Sequence, residues 1–153
     1  MNKKVAILIG SETDRSTMEA ANKYYKFFGI DYEIHVKSAH RNPSDVESFA
    51  KNARSNGYAT LVGAAGMAAH LAGAIKANTT LPVIGVPLDG GILDGMDSLL
   101  STVQMPKGVP VATVAVGKAG AINAAILSAE IISLNDDEMS AKLDEFKLIG
   151  AKL

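Results

Sequence analysis

The chain reads as α/β class, a three-layer α/β/α sandwich in which helices cover both faces of a five-stranded parallel sheet. Three observations point there. Short apolar runs alternate with helical patterns, and the connections are too long for hairpins. The first run, 5–9, is wholly apolar, as suits a central strand buried on both faces. The second, 32–36, alternates Tyr32, Ile34 and Val36 with Glu33 and His35, as suits an edge strand with one wet face. A buried first strand and an edge-like second one fit the flavodoxin-like order 2-1-3-4-5, whose topological switch point lies between the first and third strands.

A turn at 10–14 follows the first strand, then a helix over 15–28 that Gly29 stops, since glycine accepts the left-handed C′ conformation. His35 falls on the polar side of the second strand and reads as a surface histidine. Asn42 and Pro43 look like an N-cap followed by proline at the first helical position. A helix over 43–56 places Val46, Phe49, Ala50 and Ala53 at helical spacing. The third strand is 60–64, and a small-residue helix runs from 66–70 to near Asn78. The fourth strand, 81–86, admits Pro82 near its start. A loop with glycines at 90, 91 and 95 leads to a short helix over 96–102. The fifth strand is 111–116, followed by an Ala- and Ile-rich helix over 119–134. Asn135 with Glu138 three residues on resembles a capping box. It would open a last helix to about 149, with Met139, Leu143 and Phe146 on one face.

The 153 residues suit one catalytic domain, 1–153, with the helix at about 136–149 expected to pack on a neighbouring subunit. A net charge of -1, from 15 basic and 16 acidic residues, argues against general attraction to nucleic acid or to an acidic membrane. The absence of cysteine excludes disulfides, thiolate nucleophiles and Cys-based zinc sites. The apolar start, 5–9, is too short for a signal-peptide core and ends at Gly10. The longest apolar region, 109–134, is broken by Lys118, Asn123 and Glu130, so a soluble, cytoplasmic protein is expected.

Three polar loops, 10–14, 38–42 and 64–70, should converge at the switch point, where open α/β sheets bind ligands. Ser11 and Thr13 add hydroxyls to the orphan N–H groups of a helix start, which favours an anion. Asp14 can cap that helix or accept from sugar hydroxyls. Neither GxGxxG nor GxxxxGK[ST] is present, so a small phosphate ester is favoured over a large cofactor. Ser38 and Arg41 extend the same anion site, Arg41 with a planar fork that never loses its charge. His40 titrates near neutrality, and with no Ser-His-Asp set and no cysteine its natural role is proton transfer. His70, at a helix start, suits a neutral imidazole. Two histidines without a third ligand make a poor metal site, and no metal is expected. Asp89 and Asp94, in a glycine-rich loop, read as turn formers. Gly63-Ala64-Ala65-Gly66 and Gly117-Lys118-Ala119-Gly120 read equally as tight turns or as places where a ligand approaches the backbone.

The motifs Gly10-Ser11-Glu12-Thr13-Asp14, Ser38-Ala39-His40-Arg41, Gly66-Met67-Ala68-Ala69-His70-Leu71, Val103-Gln104-Met105-Pro106-Lys107-Gly108 and Gly117-Lys118-Ala119-Gly120 resemble, in this order, the 5-(carboxyamino)imidazole ribonucleotide mutases of purine (IMP) biosynthesis. The resemblance covers about 4–134. It implies a homo-octamer with no metal or organic cofactor, acting on a small ribonucleotide. The implied reaction moves a carboxylate from the exocyclic nitrogen of the imidazole to ring C4 by decarboxylation and recarboxylation. It makes His40 the general acid/base. Ser11, Thr13, Asp14, Ser38 and Arg41 then match substrate-binding positions around the ribose phosphate, and Gly66, His70 and Leu71 those around the base and carboxylate. Ala64, Met67 and Ala72 stand where members often have two glycines and a proline. Related carboxylases that use free carbon dioxide typically carry lysine at the position of Arg41, which favours the mutase branch. A signalling receiver domain shares the strand order, but Gly10-Ser11 and Ala64-Ala65 occupy the places of its acidic residues. A non-catalytic nucleotide-binding module is the remaining alternative.

Overall fold

The computed structural model describes residues 3–153; Met1 and Asn2, which open the expected domain, lie outside them. Five parallel strands, β1 (Lys4–Ile9), β2 (Asp31–Val36), β3 (Thr60–Ala65), β4 (Val83–Pro87) and β5 (Ala112–Thr113), pair in the order β2-β1-β3-β4-β5. The two-residue period of a strand divides β1 between the two cores. Val5, Ile7 and Ile9 face one helical layer, and Ala6 and Leu8 the other.

The first layer holds α1 (Arg15–Met18), α2 (Asn22–Phe28), α6 (Gly117–Ser133) and α7 (Asp137–Leu148). The single helix expected over 15–28 is interrupted by a tight turn, Glu19–Ala21, of 3₁₀ form. Across that turn the buried residues Met18, Ala21 and Tyr24 are three apart, and a 3₁₀ turn keeps such positions on one line where an α-helix would rotate them. Gly29 ends α2 at a φ of 67°, as expected. In α7, Asp136 and not Asn135 is the N-cap, its carboxylate accepting the N–H of Met139 at 2.9 Å. Lys3 pairs with Asp136 at 3.3 Å and Glu138 at 2.8 Å, which ties that cap to the start of β1. The apolar face of α7 turns into the chain's own core: Met139 and Phe146 are buried, and Phe146 lies edge-on to Tyr24 and Phe28.

The second layer holds α3 (Pro43–Asn52) and α4 (Leu71–Lys76), packed on Ala6, Leu8, Leu61 and Val83. Pro43 is at the first helical position, but the Asn42 side chain makes no capping bond. The helix expected to 56 stops at Asn52. There the Asn52 amide donates to the carbonyl of Ser48 and Ser55 Oγ donates to that of Asn52, so side chains compete for the backbone. A further helix, α5 (Met96–Val103), covers the β4–β5 edge.

The strand expected over 111–116 is reduced to β5, and β4 explains why. Val114 donates to Gly85, so the next ladder donor from β4 toward β5 would be residue 87. That residue is Pro87, which has no N–H. Among the described residues no helix is long and apolar enough to cross a membrane.

Candidate active site

The loops leaving β1, β2, β3 and β4 open on one cavity of about 420 Å³ at the carboxyl edge of the sheet. Every site residue expected from the sequence lines it: Ser11, Thr13 and Asp14 after β1; Ser38, His40 and Arg41 after β2; Gly66, His70 and Leu71 after β3. β1 lies between β2 and β3, so side chains from the two flanking loops meet across its end. Gly10 is at that end, and a Cβ built there meets nothing within 4 Å. The missing side chain leaves the middle of the cavity open.

After β1, Ser11 and Asp14 close a reciprocal cap. Ser11 Oγ accepts from the Thr13 N–H at 3.4 Å and the Thr13 hydroxyl at 3.0 Å, while the Asp14 carboxylate accepts the Ser11 N–H at 3.2 Å. The capping reading of Asp14 is met by one oxygen, and the residue also lines the cavity. Burial pushes its carboxyl above the ordinary value, and the Ser11 N–H offsets this only in part. After β2, Ser38 Oγ accepts the Arg41 N–H at 3.2 Å, and the Asn42 N–H donates to the Ser38 carbonyl at 2.8 Å. Ser38 thus closes the turn that presents His40 and Arg41.

The segment 66–70 does not enter the helix directly. Met67 has a φ of 53°, a left-handed conformation that costs a non-glycine residue about 1–3 kcal/mol. His70 sits at the N-cap of α4. Its Nδ1 lies 2.6 Å from Nε2 of His40, with the rings near-perpendicular at 80°. At that distance one nitrogen donates to the lone pair of the other, so the two facing atoms share a single proton. The contact persists whether the pair is neutral, with one N–H on each ring, or holds one extra proton. An acid/base partner needs that tolerance.

Asp89 and Gly90 also line the cavity, so Asp89 is a wall residue as well as a loop residue. The rule that singled out the other three loops, that ligands meet the carboxyl ends of the strands, applies equally to the loop after β4. Asp94 is the turn former expected: it accepts the Gly90 N–H at 3.3 Å and stays outside the cavity. The 117–120 motif is a packing feature, because a Cβ on Gly120 would fall on the carbonyl of Ala115. His35 packs on Phe49, the rings tilted with centroids 4.7 Å apart, and lies 3.2 Å from the Glu33 carboxylate, outside the cavity. Among the described residues no three His, Asp or Glu side chains gather as metal ligands.

The AIR carboxylase family model matches residues 4–151. The chain is 50% identical over 145 residues to the N5-carboxyaminoimidazole ribonucleotide mutase of Bacillus subtilis, covering 95% of this chain and 90% of that one. It is 46% identical over 144 residues to the mutase of the same name from Escherichia coli K12, covering 94% and 85% respectively. The crystal structure of Treponema denticola PurE superposes with a TM-score of 0.86 at 30% identity, over 97% of this chain and 91% of that one.

Proposed function

The chain belongs to the AIR carboxylase family, and we propose that His40 is the general acid/base of its reaction. It is a mutase of purine biosynthesis that converts N5-carboxyaminoimidazole ribonucleotide to 4-carboxy-5-aminoimidazole ribonucleotide. The observation that carries the role of His40 is its 2.6 Å contact with His70 inside the cavity.

The chemistry balances on one proton. When the bond between the exocyclic nitrogen and its carboxyl carbon breaks, its electron pair stays on nitrogen and carbon dioxide leaves; protonated His40 donates to that nitrogen. Ring C4 then attacks the retained carbon dioxide and becomes tetrahedral, still bearing its hydrogen. Neutral His40 removes that proton, the ring regains aromaticity, and His40 is protonated again. Carbon returns to the substrate and a proton returns to His40, so the scheme closes without a metal or organic cofactor. His70 suits the task because its lone pair or N–H matches either charge state of the pair.

Around this centre, Ser11, Thr13 and Ser38 offer hydroxyls and Arg41 a fixed cation for the ribose phosphate, and Asp14 an acceptor for ribose hydroxyls. Gly66, His70 and Leu71 flank the base. We place the enzyme in the cytoplasm as a homo-octamer, and two exposed apolar sets support self-association. One is Ile92, Leu93, Met96, Leu100 and Val103; the other is Leu134, Leu148 and Ile149, which includes the end of α7.

The test is turnover of each substrate separately, the carboxyamino compound and the unmodified aminoimidazole ribonucleotide, with and without added bicarbonate. Turnover of the first without bicarbonate is expected; bicarbonate-dependent turnover of the second alone would make the chain a carboxylase. His40→Asn is expected to abolish turnover while holding ligand affinity within about tenfold. Near-normal turnover in that variant would remove His40 from the mechanism, and binding without turnover in the native chain would leave a non-catalytic module.

A further inference from the structure

We propose that Ser101, on α5 and outside the cavity, is a positioning residue that fixes where His70 stands against His40. The proposal rests on the proton-transfer reading of that pair. The segment leading into His70 is neither helix nor strand. Met67 is left-handed, and the chain then turns tightly enough for the His70 N–H to reach the carbonyl of Ala68 at 3.0 Å. What anchors it from outside is Ser101. The Ala69 N–H, buried with its residue, donates to Ser101 Oγ at 2.9 Å, and the carbonyl of Met67 lies 3.2 Å from the same oxygen.

The Ser101 hydroxyl has one proton and three carbonyls in reach: Asp97 at 2.8 Å, Met67 at 3.2 Å and Ser98 at 3.2 Å. Bonding to Asp97 or Ser98 keeps the hydroxyl pinned to its own helix and its lone pair turned to Ala69. The acceptor half of the contact is therefore the part that holds the loop. Ala69 is joined to His70 by one peptide plane, so its displacement carries the His70 Cα with it. A 2.6 Å imidazole pair has little room for such a shift. The same helix holds the next wall: Ser98 Oγ donates to the Leu88 carbonyl at 2.6 Å, immediately before Asp89. Ser101 does not line the cavity, so an effect of its loss on the reaction cannot arise from a lost substrate contact.

Ser101→Ala is expected to lower kcat by about tenfold or more, as misplaced catalytic groups do, with KM for the carboxyamino substrate within about twofold. A second readout needs no substrate. The chain has three histidines, so the imidazole ¹H–¹⁵N signals of His40 and His70 can be read against His35, which lies outside the cavity. In Ser101→Ala the His40 and His70 signals should move and the His35 signal stay. Ser101→Thr, which keeps the hydroxyl, should restore both rate and spectrum. If Ser101→Ala fails to fold, Ser101→Cys keeps the volume with a weak acceptor and carries the same readouts. Native kcat and unmoved His40 and His70 signals in a folded variant would overturn the proposal. So would a rise in KM alone. If His40→Asn kept its activity, the proton-transfer reading would fail instead, whatever the imidazole spectrum of Ser101→Ala showed.

Discussion

The carboxylate of Asp14 lies at the rim of the cavity, half-buried, with one oxygen on the Ser11 N–H. Burial raises its titration, and the sign of the consequence follows. A carboxyl raised in the folded state contributes its full stability below the ordinary carboxylate range and loses it as pH rises through the raised value. Above that range the ionised form is therefore a burden on the fold. Asp14→Asn keeps an acceptor for the Ser11 N–H and removes the charge. Its melting temperature at neutral pH should equal or exceed that of the native chain, and the difference should shrink toward about pH 3. Substrate KM should rise by about tenfold or more, the scale of a lost charge-assisted hydrogen bond. A variant that melts lower at neutral pH and binds normally would show that Asp14 serves the cap alone.

At the scale of elements, α6 lies on the turn that follows β5, and Gly120 is the point of contact. A Cβ there would fall on the Ala115 carbonyl oxygen and within 3.0 Å of Val86 Cγ1. Because the obstacle is backbone, Gly120→Ala should destabilise by about 3 kcal/mol or more, read as a lowered denaturant midpoint. An unchanged midpoint would mean that α6 can slide on the sheet. The sequence could show that 117–120 was a tight place, but not whether ligand or carbonyl made it so. Other differences have the same origin. Strand order and three of the four convergent loops were legible because they follow from runs of apolar residues such as 5–9 and from the alternation at Tyr32, Ile34 and Val36. The break of 15–28 depends on which face of Met18, Ala21 and Tyr24 meets α6. The brevity of β5 depends on which N–H of β4 faces it, so Pro87 matters only once the register is known. The His40–His70 contact joins loops thirty residues apart. Each residue was visible in its own motif, but their meeting across the end of β1 was not.

For the whole molecule, α5 relates the cavity to self-association. Its inner side carries Ser98, Ser101 and Thr102, which bond to the loops after β3 and β4 or to their own helix. Its outer side carries Met96, Leu100 and Val103, four and three residues apart and each about half exposed, continuing from Ile92 at 97% and Leu93 at 58%. Five large apolar side chains on one helix face and the loop before it form a contiguous patch of the kind that marks an interface. The Ala-rich face of α6 and the Met139–Phe146 face of α7 are already buried within the chain, so they are not free for that purpose. A charge on the patch should then act on assembly before it acts on the fold. Leu100→Glu, outside the cavity, should lower the mass seen by light scattering from that of the proposed octamer to smaller species while the helical circular dichroism is retained. Because the same helix holds Ala69 and Leu88 in place, activity per chain should fall in step with the mass as the protein is diluted. A variant that keeps full mass at every concentration would move the interface elsewhere, to Leu134, Leu148 and Ile149. One that dissociates yet keeps native activity per chain would show that a single chain holds its cavity in working order.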